Sequence, residues 1–147
     1  MKLDTRSRYG LRALLDLGIH YGEGPVTIKE ISQRQAISQS YLEQIVMTLK
    51  AAGLVHTVRG AHGGIELARP PREVRLIEAM TALGGLGTLV DCIDRPGTCA
   101  RSGFCVMRDI WKELRTAMSG VLGGRTLQDI VEMQKSKDNS ELVTYSI

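Results

Sequence analysis

The sequence has few aromatic residues and no long apolar run. Aromatic side chains make up 4% of the 147 residues, which favours aliphatic helix packing over an aromatic-rich β-sandwich. No stretch approaches the roughly 20 apolar residues of a membrane-spanning helix. The charged start MKLDTRSRYG has no apolar run behind it that is long enough for a signal peptide. We therefore expect a cytoplasmic, mainly helical chain, either one compact domain or a small domain with an extra helix or two.

The sequence also lacks recognisable motifs of catalytic sites. The sequence has no nucleotide-binding glycine loop and no obvious pair of catalytic carboxylates. None of its three cysteines has a histidine beside it in sequence that would activate it as a nucleophile. We therefore expect neither an enzyme nor a small-molecule substrate.

Positive charge is concentrated in the first half of the chain. The net charge is +3. Residues 1–70 carry nine Lys and Arg against six Asp and Glu, whereas residues 71–147 carry ten of each. This distribution is compatible with an amino-terminal half that binds a polyanion, although a surplus of three is common on ordinary surfaces.

The first part of the chain predicts three helices. The first spans residues 5–21, and its expected apolar face is Leu11, Leu14, Leu15 and Ile19. Thr27 and Glu30 have the spacing of a capping box for a short second helix. Ser38 can cap a third helix that ends before Gly53. Two short helices joined by a turn of about three residues predict a helix-turn-helix.

The third helix is polar at its amino-terminal end, where a recognition helix presents base-reading groups to the major groove. These polar residues are Ser38, Gln39, Ser40, Tyr41, Glu43 and Gln44. For this segment alone, an ordinary α-hairpin with a solvated polar face is an equal alternative.

A predicted hairpin follows directly. The segment LVHTVRGAHGGIELARP alternates apolar and polar residues over Leu54–Arg59 and Ile65–Ala68, with three glycines between them. A hairpin directly after a helix-turn-helix is a wing. Arg59 stands at its tip, well placed to enter a minor groove or contact a phosphate. Residues 1–70 are thus predicted to be a winged helix-turn-helix domain that binds DNA.

The second half, residues 71–135, predicts a cysteine-bearing loop between helices. Residues 105–122 form its strongest helix, with an apolar seam at Met107, Trp111, Leu114, Met118 and Val121. A second apolar stripe (Val106, Ile110 and Ala117) indicates that one face packs on the domain and the other on a second copy. A helix buried within the monomer is the alternative. A last helix is predicted from Leu127 to about Lys135, followed by a flexible tail over residues 136–147.

All three cysteines lie in DCIDRPGTCARSGFC, residues 91–105. The close cysteine pairs of structural zinc sites are absent, and no histidine lies nearby in sequence. Iron–sulfur clusters bind thiolates from irregular, glycine-bearing loops of this kind. Spacing alone therefore favours a cluster, and it leaves open three unligated thiols that sense peroxide or other thiols.

In combination, these segments resemble the bacterial Rrf2 (Rrf-two) family of winged-helix regulators, which includes IscR, NsrR and RirA. The resemblance covers about residues 1–133 and rests on KLDTRSRYGLRALLDL, on ISQSYLEQIVMTLKAAGLVHTVRGAHGGIELARP and on the cysteine triad. It implies a homodimer that binds palindromic promoter DNA. It also implies DNA contacts by Ser38, Ser40, Tyr41, Glu43, Gln44 and Arg59, and a cluster ligated by Cys92, Cys99 and Cys105.

Two positions depart from the family pattern. Some members keep a histidine three residues after the third cysteine, where this chain has Arg108, and arginine is an implausible ligand because it stays protonated. Others use an aspartate from the partner's first helix, and the matching position here is Arg8. The first cysteine gap also has six residues, where many members have five. The remaining candidates for a fourth ligand are Asp109, Asp94, Asp91 and Asp4.

The leading hypothesis is a dimeric transcriptional regulator whose promoter affinity depends on a [2Fe-2S] or [4Fe-4S] cluster. It would govern iron–sulfur assembly, iron homeostasis, or a redox or nitric oxide response. One alternative is a cluster-free, thiol-sensing repressor of the same fold. A second, from another class, is a small iron–sulfur electron carrier.

Overall fold

The computed structural model describes residues 2–145 as a mainly helical protein with one antiparallel hairpin. This confirms the predicted fold class. In chain order the elements are α1 (Thr5–Ile19), α2 (Ile28–Gln35), α3 (Gln39–Ala51), β1 (Val55–Val58), β2 (Gly64–Leu67), α4 (Leu76–Ala82), α5 (Asp91–Asp94), α6 (Val106–Gly123) and α7 (Leu127–Tyr145). Short 3-10 turns lie at Pro71–Glu73 and Pro96–Thr98. Among these residues, no helix has the length and apolarity to cross a membrane.

The predicted helix-turn-helix is present, and its caps form as expected. The backbone amide of Glu30 donates to Thr27 Oγ1 at 3.2 Å, and the amide of Thr27 donates to Glu30 Oε2 at 2.7 Å. Ser38 caps α3 by accepting from the amide of Tyr41 at 3.2 Å. Between the helices, Ala36 adopts the left-handed conformation with φ of 52°. The turn is therefore defined by local hydrogen bonds that the sequence encodes directly.

The hairpin is also present, in a register that runs from Val55 opposite Leu67 to Val58 opposite Gly64. It is fastened to the segment before α2, because Val26 and Ile65 exchange two backbone hydrogen bonds of 3.0 and 2.8 Å. A Cβ atom at Gly64 would lie 2.6 Å from the carbonyl oxygen of Val26, so this close approach requires glycine. The base of the wing is thus held rigidly against the helix-turn-helix.

The hydrophobic core joins the winged helix to the second half of the chain. Leu14, Leu42 and Leu49 of the first three helices share one buried cluster with Leu83 and Leu127. The division predicted at residue 70 stays a prediction, and the core includes residues from both sides of it. Because the two halves pack in one core, a displacement of the second half would change the position of the winged helix.

The buried face of α1 differs from the predicted one. Leu14 is fully buried, but Ala13 and Leu17 complete the buried face, whereas Leu11, Leu15 and Ile19 are only partly buried. The cause is close packing at two glycines of α1. A Cβ atom at Gly10 would lie 2.5 Å from Leu83, and one at Gly18 would lie 2.8 Å from Val131. The apolar pattern does not reveal this face because glycines form part of it.

The last helix is longer than predicted. The expected end near Lys135 is wrong, since α7 continues to Tyr145. Gln134 donates to Asp138 at 2.8 Å across one turn, which supports the helix without burying apolar residues. A solvent-exposed helix of this kind shows no hydrophobic period, so the sequence signal was absent. The predicted flexibility of residues 136–147 stays a prediction, and residues 146–147 lie outside the described range.

A buried ion pair fixes α2 against α1. The Asp16 side chain is 3% exposed, and Arg34 donates to both of its oxygens at 2.9 and 2.8 Å. Gln35 donates a third hydrogen bond at 3.0 Å. Burial alone would raise the pKa of Asp16, but the bonds from Arg34 and Gln35 outweigh it and hold that pKa below its ordinary value. The carboxylate is therefore ionised and fully engaged at neutral pH.

Asp16→Asn is expected to lower the free energy of unfolding at pH 7 by about 2 kcal/mol, because it removes a buried charge-assisted hydrogen-bond network. The folded-state pKa of Asp16 lies below its unfolded value, so the stabilisation is complete above that unfolded value and is lost as the pH falls through the folded one. Urea unfolding of both proteins should therefore show a difference that narrows below about pH 4. The exposed substitution Glu43→Gln is the control, and a pH-independent difference for Asp16→Asn would contradict the assignment.

Candidate DNA interface and cysteine segment

The recognition helix α3 has one buried face and one polar exposed face. Ser38, Ser40, Glu43 and Gln44 are exposed, while Leu42, Ile45, Val46 and Leu49 are buried in the core. Met47 is 72% exposed and extends the exposed face by one turn. The predicted base-reading residues thus lie together on the outside of the helix, where a DNA groove could receive them.

Tyr41 differs from the other predicted DNA-contacting residues. It is half-buried, and its ring packs edge-to-face on Tyr9 with the ring centroids 6.0 Å apart and an interplanar angle of 81°. Its aromatic body therefore joins α3 to α1, in addition to any contact that its hydroxyl makes.

Arg59 is exposed directly after β1, at the tip of the wing. The next residue, Gly60, has φ of 115°, and its carbonyl accepts from the amide of Gly63 at 3.1 Å. At the base of the wing, Lys50 of α3 donates to Thr57 of β1 at 3.1 Å. Arg59 thus projects from a turn whose base is tied to the recognition helix.

Three exposed arginines, which sequence reasoning did not assign to the site, lie on α1, the helix that packs on the recognition helix. Arg6 donates to the Thr48 hydroxyl of α3, and Arg12 donates to Gln35 beside the turn. The guanidinium carbons of Arg8 and Arg12 lie 6.0 and 5.4 Å from the ring centroid of Tyr9. Within residues 2–145, none of the three arginines forms an ion pair with a carboxylate. The signal was visible as three arginines in the segment RSRYGLR.

The three cysteines are free thiols at different depths. Cys92 lies in α5 and Cys105 immediately precedes α6, and both are half-buried. Cys99 follows the turn Pro96–Thr98 and is exposed. The segment therefore holds its two ends against the protein and presents its middle to solvent.

The structure does not bring these thiols together as a ready-made metal site. In the described part of the chain, no group of three His, Cys, Asp or Glu side chains converges closely enough for a metal ion. The chemistry of the donors still fits an iron–sulfur cluster, because thiolates are its usual ligands and all three lie on one segment. Ligation of one cluster by all three would require the thiols to lie closer together than they do in the described structure.

Two of the aspartates considered as a fourth ligand have structural roles. Asp4 caps α1 by accepting from the amide of Ser7 at 2.9 Å. Asp94 accepts from the Arg115 guanidinium and, at 3.0 Å, from the Thr88 hydroxyl. These two bonds, with that from Arg115 the stronger influence, hold the pKa of Asp94 below its ordinary value. Ligation by either aspartate would require these hydrogen bonds to break.

The other two aspartates are less constrained. Asp91 lies 3.5 Å from Arg95 in an exposed pair within one helical turn. Asp109 is exposed in the first turn of α6, and its carboxylate makes no hydrogen bond or ion pair among the described residues. Because Asp109 also follows Cys105 by four residues, it remains the least hindered of the four candidates.

The helix α6 has no buried residue, although it is amphipathic and 18 residues long. Trp111, Leu114 and Met118 line a pocket of about 410 Å³ against residues 2–4, which precede α1, and the glycine-containing segment after α4. Other apolar side chains of α6 are exposed: Val106, Met107, Ile110 and Val121. The alternative that this helix is buried within the monomer is therefore wrong.

A helix-turn-helix, a wing and an exposed polar recognition helix define a winged-helix DNA-binding protein. The chain belongs to the Rrf2 family of transcriptional regulators, because the family model, described as "Iron-dependent Transcriptional regulator", matches residues 3–133. This confirms the resemblance inferred from the sequence and the expectation that the chain is not an enzyme. It also removes the electron-carrier alternative.

Curated relatives agree with this assignment. The protein is 42% identical over 131 residues to the protein rrf2 of Nitratidesulfovibrio vulgaris, which covers 89% of this chain and 87% of the relative. It is 36% identical over 138 residues to the HTH-type transcriptional regulator IscR of Photorhabdus laumondii, which covers 94% of this chain and 84% of that one.

Solved structures of IscR and CymR are similar to this chain. IscR of T. potens superposes with a TM-score of 0.76 at 36% identity, over 91% of this chain and 88% of that chain. CymR of B. subtilis is described as the global cysteine regulator of that organism. It gives a TM-score of 0.75 at 33% identity, over 90% of this chain and 98% of the CymR chain. The fold is therefore shared with IscR and with a regulator that is described by its role in cysteine regulation.

Tyr41→Ala is expected to lower the free energy of unfolding by about 2–4 kcal/mol, because it removes a half-buried ring from the contact between α1 and α3. Gln44→Ala, on the exposed face of the same helix, should change it by less than about 0.5 kcal/mol. Urea titrations followed by circular dichroism measure both. Equal effects of the two substitutions would contradict the division of α3 into packing and exposed positions.

Proposed function

We propose that this protein is a dimeric regulator that binds palindromic promoter DNA with an affinity set by an iron–sulfur cluster on Cys92, Cys99 and Cys105. The observation that carries the proposal is the position of the cysteine segment. It connects the core of the winged helix to α6, the exposed amphipathic helix. A change at the cysteines can therefore alter how two winged helices are held relative to each other. A regulator of bacterial promoters acts in the cytoplasm.

The DNA-binding step rests on three neighbouring features. Ser38, Ser40, Glu43 and Gln44 with the hydroxyl of Tyr41 read base edges in the major groove, and Arg59 reaches the adjacent minor groove or a phosphate. Because the major groove is only about 12 Å wide, a helix inserted in it has phosphates along both sides. The arginines of α1 supply the charge on one side, and the wing supplies it on the other. Arg6, Arg8 and Arg12 thus join the proposed interface as phosphate-binding residues.

The dimer step rests on α6. An amphipathic helix with four large exposed apolar side chains needs a covering surface in water. A second α6 in two-fold symmetry provides the same chemistry in return, which is how isologous dimers cover such helices. The two recognition helices are then related by the same axis, as palindromic half-sites require.

The cluster step rests on donor chemistry and on the family. Cys92, Cys99 and Cys105 would hold the cluster. A bound cluster would link these three positions of the loop, and iron supply, oxidants and nitric oxide would affect that link. Three thiolates suit either a [2Fe-2S] or a [4Fe-4S] cluster with one further ligand. Iron–sulfur assembly, iron homeostasis and redox or nitric oxide stress are the responses that such a group can report.

A cluster-free thiol sensor is the second candidate. It is favoured by the separation of the three thiols and by the resemblance to CymR. Cys99, which is exposed, would then be the residue that reacts first with an oxidant.

Anaerobic purification is expected to give a brown protein with iron and sulfide close to one another in molar amount. The triple substitution of Cys92, Cys99 and Cys105 by alanine should abolish the colour and leave a folded dimer, as measured by absorbance, iron analysis and light scattering. A colourless protein from a strictly anaerobic preparation would overturn the cluster. Peroxide-dependent DNA release by that colourless protein would then support the thiol sensor.

Gln44→Ala and Arg8→Gln are expected to weaken DNA binding in different ways. Gln44→Ala should cost about 1–3 kcal/mol on an operator selected with the wild-type protein and little on random DNA. Arg8→Gln should weaken both equally and reduce the slope of log K against log salt by about 0.9, the contribution of one phosphate. Fluorescence anisotropy at several salt concentrations measures both. Lys135→Ala on α7 is the charge-matched control, and a salt slope that Arg8→Gln leaves unchanged would refute the α1 contact.

A further inference from the structure

We propose that Arg108 and Arg115 clamp the helix that carries Cys92 onto α6 and thereby act as positioning residues for the cysteine segment. We call these two contacts the clamp. The role of the clamp in regulation rests on the proposed function, whereas its existence does not. Arg108 occupies the position where other family members keep a histidine, so the clamp would replace a ligand with a structural contact.

The first contact of the clamp is made by Arg108. Its Nε donates to the backbone carbonyl of Cys92 at 2.8 Å, across 16 positions of sequence, and the bond is partly buried. Arg108 lies in the first turn of α6, three residues after Cys105. The backbone at Cys92 is therefore tied to the end of α6 that begins next to Cys105.

The second contact is made by Arg115, two turns further along α6. Its guanidinium binds the carboxylate of Asp94, whose other oxygen accepts from the Thr88 hydroxyl at 3.0 Å. Since seven residues make about two turns, Arg108 and Arg115 project from the same side of α6. Together they hold the second and the fourth residue of the four-residue helix α5.

Burial and exposure decide which contact matters more. The side chains of Arg115 and Asp94 are both 45% exposed, and an exposed ion pair contributes little by itself. The Arg108 bond is partly buried, and it satisfies a carbonyl at the start of α5. Ile93, between the two contacts, is 7% exposed. Arg108 and Ile93 therefore carry most of the attachment, and Arg115 orients it.

The clamp holds two of the three cysteines more firmly than the third. Cys92 is held through its own backbone, and Cys105 is fixed at the start of α6. Cys99 lies on the exposed stretch between them, where Ser102 donates to the carbonyl of Pro96 at 2.7 Å inside the loop itself. The part around Cys99 is thus the part of the segment that neither contact of the clamp holds. A change of state at that thiol would act on α6 through the clamped ends.

Hydrogen exchange in the cluster-free chain tests the clamp without reference to any metal. Arg108→Ala is expected to speed amide exchange over residues 91–95 about tenfold, and Arg115→Ala only about twofold, because the first removes the buried bond and the second an exposed pair. Arg108→Lys, which keeps a cationic donor, should recover part of the protection. Arg101→Ala is the control, since Arg101 lies in the same segment but stacks on Phe104.

The outcomes are separable. Unchanged exchange at residues 91–95 in Arg108→Ala, or faster exchange throughout the chain, would overturn the clamp. The regulatory role of the clamp is tested by measuring operator affinity with and without bound iron. Arg108→Ala should bring these two affinities closer together. Its iron content and melting temperature should stay as in the wild type. A wild-type protein that binds no iron would refute the proposed cluster and leave the exchange result to decide the clamp. An affinity ratio that Arg108→Ala leaves as in the wild type would refute the regulatory role.

Discussion

The buried carboxylate of Asp16 is the constraint on which the geometry of the DNA-binding half depends. An ionised group that is 3% exposed is costly unless hydrogen bonds compensate it, and Arg34 and Gln35 are the groups that do so. Both lie at the end of α2, immediately before the left-handed turn at Ala36. Satisfying the carboxylate therefore fixes the end of α2 on α1, and the turn then fixes the direction in which α3 leaves. The orientation of the exposed polar face of α3 follows from that direction.

The same helix, α1, connects the helix-turn-helix to the rest of the chain. On one side it holds Asp16 and the arginines beside α3. On the other, Gly10 and Gly18 allow Leu83 and Val131 to approach more closely than a Cβ atom would permit. Close packing of this kind transmits displacement, because interiors at crystal-like density have little slack. A shift of α6 relative to α4 thus has a physical route to α1 and the recognition helix.

The features that the sequence predicted are those whose causes are local. Thr27, Glu30 and Ser38 form their caps within three residues, and the hairpin follows from alternation and glycine. What escaped prediction depends on tertiary contact. The α1 arginines become a flank of α3 only once the core has formed, and α7 extends past Lys135 without any apolar period. The separation of the cysteines is of the same kind, since spacing cannot show that α5 is fastened to α6.

That separation bears directly on how a sensor of this design could work. If the three thiols were already convergent, binding a cluster would change little, and its loss would be hard for the DNA-binding half to detect. In the proposed cluster regulator, the three thiols would have to come together to ligate the group, and the free energy of ligation would then be coupled to a conformational change. Two states that differ in the position of this loop against α6 can then differ in DNA affinity by the coupling free energy, typically about 1–3 kcal/mol. The same argument would hold for oxidation of the exposed Cys99, so the proposed coupling of the cysteine segment to α6 suits either of the two proposed chemistries.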